Sequence, residues 1–329
     1  MPLFRFFNHA VFTACATVSL GTVSVAAVAA PTTILFVGNS FTYGQPAGAP
    51  GPTVMGYRPD SVTDLNGTRI GGVPALFKAF TQEAGLDYQV SLETVGGKGL
   101  DYHYNEKLQT IDKPFDKVVL QGYSTLDQKQ PGNPDSTIKY SGLLAKTFHD
   151  RNANVNIYLD STWSRADLTY STASPWKGQS IYQMALDVRA GYDKADQASG
   201  FINGVIPVGE AWNRAIGTGL ADDNPYNGID SGKFNLWAPD NYHASVKGYY
   251  LEGLTMFGSI TGLDPRSLGA SDLVARDLGI SAIDAAALQG VAAAQLATSV
   301  PEPTAAMMYG AGIGLFWFVR RKKTTRATA

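Results

Sequence analysis

The feature that most constrains the fold is an alternation of short apolar, β-branched segments with longer amphipathic segments. Strands are predicted for residues 34–37, 88–95, 116–120, 155–159 and 205–208, and helices for residues 73–84, 138–151, 179–198, 210–216, 245–259 and 282–296. Such alternation is typical of a parallel sheet with right-handed crossovers. We therefore predict a doubly wound, flavodoxin-like α/β fold, a three-layer sandwich around a central, mostly parallel sheet.

Small or polar residues follow four of the predicted strands. Within three positions of the strand ends the chain has Ser40, Gly97, Gln121 and Ser161. Open parallel sheets place binding and catalytic groups at the carboxyl ends of their strands. We therefore expect these four positions to converge at one edge of the sheet.

Ser40 is the candidate nucleophile. Four apolar residues, Ile34 to Val37, lead into Gly38 and Asn39, so this serine closes a buried strand. A serine hydroxyl becomes nucleophilic when a base, usually a histidine held by a third group, accepts its proton. The alternative is a structural serine that caps a helix.

The chain has four histidines, of which His243 is the best candidate base. His9 lies in the predicted export signal described below, and His149 lies in the last turn of a predicted helix, where helix-end carbonyls are its expected partners. His243 follows Asp240 by three positions, close enough for the carboxylate to orient the imidazole. His103 follows a glycine-rich turn.

The Gly38 to Ser40 block and the Asp240 to His243 block together resemble those of the SGNH, or GDSL-like, hydrolase superfamily. The resemblance implies an SGNH-type hydrolase domain over residues 30–299. It also implies that Ser40 is the nucleophile, His243 the general base and acid, and Asp240 the carboxylate that orients the histidine.

The same resemblance implies an oxyanion hole with three donors. The first two are the amide of Ser40 and a glycine amide, for which Gly97 is preferred and Gly99 stays open. The family's third donor is an asparagine, and this chain has none in that block. The carboxamide of Gln121 or the hydroxyl of Ser124 is the expected replacement.

Several further residues are candidates for substrate contact. We expect His103 at the rim of the cleft, and Tyr43, Tyr123 and Trp163 against sugar rings, although buried aromatic residues more often belong to a core. Asp101 and His103 lack the further ligands that a metal site requires. We expect neither a metal nor another cofactor.

The segment of residues 43–72 is rich in glycine and proline and has no clear periodicity. Long loops of this kind inside a compact domain are usually functional. Because it begins directly after the candidate nucleophile, we expect it to form a wall of the active site.

The N-terminal residues 1–29 have the pattern of a secretory signal peptide. Arg5 precedes a long apolar run that ends in Ala27-Val28-Ala29, a typical signal-peptidase site. The single cysteine, Cys15, would leave with this segment, so the mature chain would contain neither a disulfide nor a thiolate.

The C-terminal residues 300–329 combine Val-Pro-Glu-Pro, an uncharged run over residues 304–319, and a terminal Arg-Arg-Lys-Lys cluster. This order resembles the PEP-CTERM sorting signal of Gram-negative bacteria. It implies a transient membrane anchor, cleavage by an exosortase-like protease, and a location at the cell surface, in the extracellular matrix or in the medium. The alternative is an ordinary single-pass anchor.

The whole chain has 329 residues and a net charge of −2, and its lysine and arginine residues are scattered, which disfavours nucleic acid as a partner. We therefore predict a secreted serine esterase, and its predicted action is to deacetylate an O-acetylated carbohydrate or polysaccharide. Two alternatives remain: an inactive matrix or carbohydrate-binding protein of the same fold, and a lipase or thioesterase for longer acyl chains.

Overall fold

The computed structural model describes Met1, residues 30–45 and residues 51–299. Apart from Met1, the predicted signal peptide and the predicted sorting segment lie outside these residues. No helix within the described part of the chain is long and apolar enough to cross a membrane. The fold described below belongs to the compact unit that begins at Pro31.

Six strands form one sheet in which every hydrogen-bonded pair is parallel. They are β1 (Thr32–Gly38), β2 (Thr63–Asp64), β3 (Tyr88–Thr94), β4 (Lys117–Leu120), β5 (Asn156–Asp160) and β6 (Gly204–Ile206). Their order in the sheet is β2-β3-β1-β4-β5-β6. The predicted parallel α/β sheet is confirmed.

Helices cover both faces of this sheet. They are α1 (Ser40–Tyr43), α2 (Gly72–Glu83), α3 (Leu100–Glu106), α4 (Leu108–Ile111), α5 (Asp135–Arg151), α6 (Ile181–Ala198), α7 (Val208–Gly217), α8 (Val246–Thr261), α9 (Leu273–Asp277) and α10 (Ala282–Ser299). Helices α2, α7, α8 and α10 pack together on one face, and α3, α5 and α6 on the other.

The alternating side chains of β1 supply both halves of the core. Ile34 and Phe36 belong to the cluster under α2 and α8, whereas Leu35 and Val37 belong to the cluster under α5 and α6. All four are fully buried. A strand buried on both faces is an almost continuous apolar run, which is why this stretch is so clear in the sequence.

The order in which strands are added to the sheet reverses at β1, because β3 lies on one side of this strand and β4 on the other. Such a switch point opens a crevice at the carboxyl ends of the strands. Ser40, Gly97 and Gln121 follow these three central strands, and Ser161 follows the adjacent β5. Their predicted convergence on one edge agrees with this topology.

The predicted loop over residues 43–72 contains regular structure, which corrects the sequence analysis. It holds β2 and a short 3-10 helix, Pro59–Ser61. Asp64 organises the following turn by accepting hydrogen bonds from the amides of Asn66, Thr68 and Ile70. Helix α3 was also not predicted.

Candidate active site

The turn that carries Ser40 is tied to the loops after β3 and β4. Asn39 caps α1 by accepting the amide of Phe41 at 3.2 Å, so the capping role considered for Ser40 belongs to its neighbour. The amide nitrogen Nδ2 of Asn39 donates to the carbonyls of Lys98 at 2.8 Å and Gly122 at 2.9 Å. One side chain thus sets the position of three strand ends.

Gln121 also holds this turn in place through hydrogen bonds. Its Oε1 accepts hydrogen bonds from the amide of Asn39 at 2.9 Å and from the hydroxyl of Thr42 at 3.0 Å, and its Nε2 donates to the carbonyl of Gly122. The side chain is fully buried. Oε1 and one hydrogen of Nε2 are thus engaged, so Gln121 supports the nucleophile turn, and its expected oxyanion role stays a prediction.

Gly38 shows how tightly this turn is packed. A Cβ atom added there would lie 2.1 Å from Oγ1 of Thr42 and 2.9 Å from Oε1 of Gln121. Both distances are too short for non-bonded atoms, so the close approach of these two side chains requires glycine.

Asp240 holds His243 in one orientation. Its Oδ2 lies 2.7 Å from Nδ1 of the imidazole, and its Oδ1 accepts the amides of His243 at 3.0 Å and Tyr242 at 3.1 Å. Burial alone would raise the pKa of Asp240, but these hydrogen bonds outweigh burial and the pKa is lowered. Asn241 takes a φ of 56°, a conformation that asparagine tolerates well, and so closes the turn.

The other imidazole nitrogen of His243 is available as a base. With Nδ1 engaged by a carboxylate, that nitrogen carries the hydrogen and Nε2 keeps its lone pair. This Nε2 is buried and has no hydrogen-bond partner among the residues that the structure describes.

The Ser40 and His243 blocks lie against each other. The ring of Phe41 packs 5.7 Å from the imidazole of His243 and 5.4 Å from the ring of Tyr242. The hydroxyl of Tyr249, on α8, donates to the carbonyl of Ser40 at 3.2 Å. The ring of Phe41 and the backbone carbonyl of Ser40 thus make the contacts that bring together two parts of the chain some 200 positions apart.

Two predicted substrate contacts are corrected. Trp163 is fully buried and packs between Phe41, at 4.5 Å, and Trp212, at 4.6 Å, so it supports the site from inside the core. His103 is also fully buried, with Nδ1 2.5 Å from Oε2 of Glu93. It therefore lies beneath the cleft and not at its rim.

A cavity of about 230 Å³ lies beside the nucleophile turn, and we call it the Gly97 cavity. Its lining includes Asn39, Gly97, Tyr123, Ser124 and Tyr242. Two predicted residues, Gly97 and Tyr123, are therefore present at this cavity. Ser124, the alternative to Gln121, also lines it.

Gly97 and Gly99 differ in their surroundings. Gly97 is exposed, has a φ of 68° and would leave an added Cβ without any neighbour within 4 Å. An added Cβ at Gly99 would lie 2.3 Å from the ring of Tyr123. Gly99 is thus covered by the tyrosine, whereas the backbone at Gly97 is open to a ligand, in keeping with the preference for Gly97.

Two carboxyl groups that the sequence analysis did not single out are fully buried. They are Asp160, the last residue of β5, and Glu252 of α8. Their four oxygens have no hydrogen-bond partner in the part of the chain that the structure describes. Burial, followed by the charge of Glu210, raises the pKa of Asp160 to about 8, and burial raises that of Glu252 well above its ordinary value.

No group of three or more histidine, cysteine, aspartate or glutamate side chains among residues 30–45 and 51–299 is arranged to hold a metal ion.

Solved structures include proteins of similar fold. A DUF4886 family protein from Bacteroides uniformis ATCC 8492 matches with a TM-score of 0.55 and 18% sequence identity, over 81% of this chain and 95% of that chain. At this identity the likeness shows a shared fold. No model of a protein family matches the chain, and no curated protein matches it in sequence.

Two further structures match with lower scores. LAE5, an alpha/beta hydrolase enzyme from the metagenome of Lake Arreo, Spain, has a TM-score of 0.46 and 13% identity, over 71% of this chain and 97% of that chain. A family 3 carbohydrate esterase of Clostridium thermocellum has a TM-score of 0.43 and 16% identity, over 73% of this chain and 99% of that chain.

Proposed function

We propose that this chain is a serine esterase in which Ser40 attacks the ester, His243 transfers the proton and Asp240 orients the histidine. The observation that carries the proposal is the position of His243, an imidazole that a carboxylate holds against the turn carrying Ser40. Its Nδ1 lies 2.7 Å from Oδ2 of Asp240, its Nε2 has no partner among the described residues, and its ring centroid lies 5.7 Å from that of Phe41. His103 also has an unpartnered Nε2 in the described part of the chain, but it pairs with Glu93, so the contact with the Ser40 turn is what singles out His243.

The proposed reaction has two half-reactions. Oγ of Ser40 attacks the acyl carbon as its proton passes to Nε2 of His243, and the ester carbonyl becomes an oxyanion. The C–O bond to the alcohol then breaks, and His243 returns its proton to the departing alcohol oxygen. In the second half-reaction, water attacks the acyl-serine, gives its proton to His243, and releases the carboxylic acid as Ser40 regains its hydrogen.

We assign the oxyanion to the amides of Ser40 and Gly97 and to the hydroxyl of Ser124. Both Gly97 and Ser124 line the same cavity, and the hydroxyl of Ser124 is not engaged by Gln121. Each such donor contributes about 3 kcal/mol to transition-state binding. Ser124 thereby takes the place that the sequence analysis offered first to Gln121.

The substrate class that we propose is an O-acetylated carbohydrate or polysaccharide. A cavity of about 230 Å³ with several hydroxyl groups in its lining suits a short acyl group better than a long alkyl chain.

Export through residues 1–29, followed by sorting through residues 300–329, belongs to the same proposal. The chemical termini of protein recovered from a Gram-negative host would test it.

Hydrolysis of 4-nitrophenyl acetate tests the esterase proposal. The Ser40→Ala and His243→Ala variants should each lose at least about a thousandfold in kcat. Ser267→Ala, an exposed serine far from the site in sequence, serves as the control and should keep wild-type activity. Equal activity of wild type and the Ser40→Ala variant would contradict the proposal.

The second candidate function is binding without catalysis. It is favoured by the state of the triad, since Nε2 of His243 makes no hydrogen bond to the hydroxyl of Ser40 or to any other described residue. An inactive protein would show no acyl-enzyme burst with any ester and would still bind carbohydrate in the Ser40→Ala variant.

A further inference from the structure

A second cavity, of about 450 Å³, lies next to the nucleophile turn, and we call it the Tyr43 cavity. It shares no lining residue with the Gly97 cavity, although Gly96 lines one and Gly97 lines the other. The two adjacent glycines of one turn thus separate two distinct spaces. Neither the triad nor the oxyanion hole explains the second space.

Tyr43 connects this cavity to the nucleophile. It lies three residues after Ser40, at the end of the single turn of α1. A Cβ added at Gly96 would lie 2.8 Å from the tyrosine hydroxyl, so Tyr43 rests directly against that glycine. Tyr43 thus links this cavity to the turn that carries Ser40.

Another lining residue, Lys107, is held in place by a hydrogen bond. Nζ of Lys107 donates to Oδ1 of Asn66 at 2.9 Å, and Nδ2 of Asn66 donates to Oε1 of Glu93 at 3.1 Å and to the carbonyl of Thr94 at 3.0 Å. An ammonium group has three hydrogens, so two remain for a ligand in the cavity. Glu93, fully buried, anchors the amide of Asn66 from behind.

His103 completes this support as a positioning residue. Its Nδ1 lies 2.5 Å from the second oxygen of Glu93, and both side chains are fully buried. Glu93 near the end of β3 and His103 on α3 flank the turn that carries Gly96 and Gly97. The pair therefore fixes Asn66 and, through it, the ammonium group of Lys107.

The other lining groups suit a ligand with a ring and many hydroxyl groups. Tyr43 and Tyr102 contribute aromatic surface, and Thr94 and Thr68 contribute hydroxyl-bearing side chains. The hydroxyl of Thr94, a residue only 6% exposed, has no hydrogen-bond partner among the described residues. Sites for small ligands typically combine such aromatic surface with a few fixed polar groups.

We propose that the Tyr43 cavity binds the alcohol half of the ester, that this half is a pyranose ring, and that Lys107 hydrogen-bonds to its oxygens. The inference rests on the proposed esterase function. It also divides the substrate by size: the acyl group enters the smaller Gly97 cavity and the sugar enters the larger Tyr43 cavity.

Substrate selectivity tests the assignment. The probes are 4-nitrophenyl acetate and monoacetylated methyl glucoside, galactoside and xyloside, measured on the full chain. For the best glycoside, the ratio of its kcat/KM to that of the aryl ester should fall about tenfold in Lys107→Met, because a charged hydrogen bond is lost. Lys139→Met, an exposed lysine that lines neither cavity, should keep the ratio. An unchanged ratio in Lys107→Met would overturn the assignment.

Binding without turnover separates this inference from the esterase proposal. Calorimetry on Ser40→Ala should give a measurable Kd for the best acetylated glycoside, and adding Lys107→Met should raise that Kd about tenfold. Equal Kd values, or no binding of any glycoside, would overturn the cavity assignment even where the wild type cleaves the aryl ester. Binding by a wild type that cleaves no ester would instead reject the esterase proposal and leave the Tyr43 cavity as a carbohydrate-binding site.

Discussion

Both carboxylate oxygens of Asp240 accept hydrogen bonds within one short turn, and this gives His243 a defined tautomer. Oδ1 accepts two backbone amides and Oδ2 accepts Nδ1 of His243. The sequence predicted this pair because its members stand three positions apart. It did not predict the Glu93–His103 pair, whose members are separated by a glycine-rich turn and whose burial depends on how α3 packs.

The Asp240→Asn variant should lose about a thousandfold to ten-thousandfold in kcat on 4-nitrophenyl acetate, because an amide can stabilise the wrong tautomer and cannot stabilise an imidazolium. Asp264→Asn, at a solvent-exposed pair with Arg266, is the matched control. Activity within tenfold of wild type would exclude a role for Asp240 in the reaction.

The same variant has a predictable stability profile. Since the pKa of Asp240 is lowered in the folded state, its stabilising effect is present above the usual pKa of 3.8 and is lost as pH falls through the lowered value. Thermal denaturation should therefore show a lower Tm for Asp240→Asn at pH 7, and the difference from wild type should shrink toward about pH 3.

Asp160 should behave in the opposite way. Its pKa is raised by burial to about 8, so its contribution to stability is present below 3.8 and is lost as pH rises toward 8. The Asp160→Asn variant removes this ionisation. Its Tm relative to wild type should be higher at pH 8 than at pH 5, whereas exposed Asp223→Asn should show no such trend. A constant difference between Asp160→Asn and wild type would refute the assignment.

At the scale of elements, the sequence predicted strands and helices whose faces are strongly apolar, and it missed the rest. β2 has two residues inside a segment rich in glycine and proline, and α3 contains mostly polar residues with only Leu100 and His103 buried. Neither has the apolar periodicity on which such predictions depend. Contacts with β3 and α5, not local preference, stabilise these elements.

The junction of β1, α1 and β4 depends on Gln121. In Gln121→Met the amide of Asn39 and the hydroxyl of Thr42 lose their buried acceptor. Two unsatisfied donors should lower the free energy of unfolding by about 2 to 4 kcal/mol, measured by urea denaturation. Gln82→Met on the exposed face of α2 is the control. A loss below 0.5 kcal/mol, about the scatter of surface substitutions, would show that the hydrogen bonds to Gln121 contribute little to stability.

At the scale of the whole molecule, the order of the strands determines where chemistry is possible. The switch at β1 opens one crevice, and the chain brings to it the nucleophile turn, the Gly96–Gly97 turn and the Asp240 to His243 turn. The alternation of strands and helices predicted a doubly wound parallel sheet whose strand ends meet at one edge, whereas the order of the strands is a finding of the structure. The two cavities depend on how side chains from separate loops pack, which the sequence does not encode in any local pattern.

The central claim is that Ser40 is a nucleophile activated by His243. Its most direct test is mass spectrometry of the full chain after reaction with a fluorophosphonate, followed by mapping of the modified peptide. We predict a single adduct on Ser40 in the wild type and its loss in both Ser40→Ala and His243→Ala. An adduct on another serine, or unchanged labelling of Ser40 in the His243→Ala variant, would contradict the account.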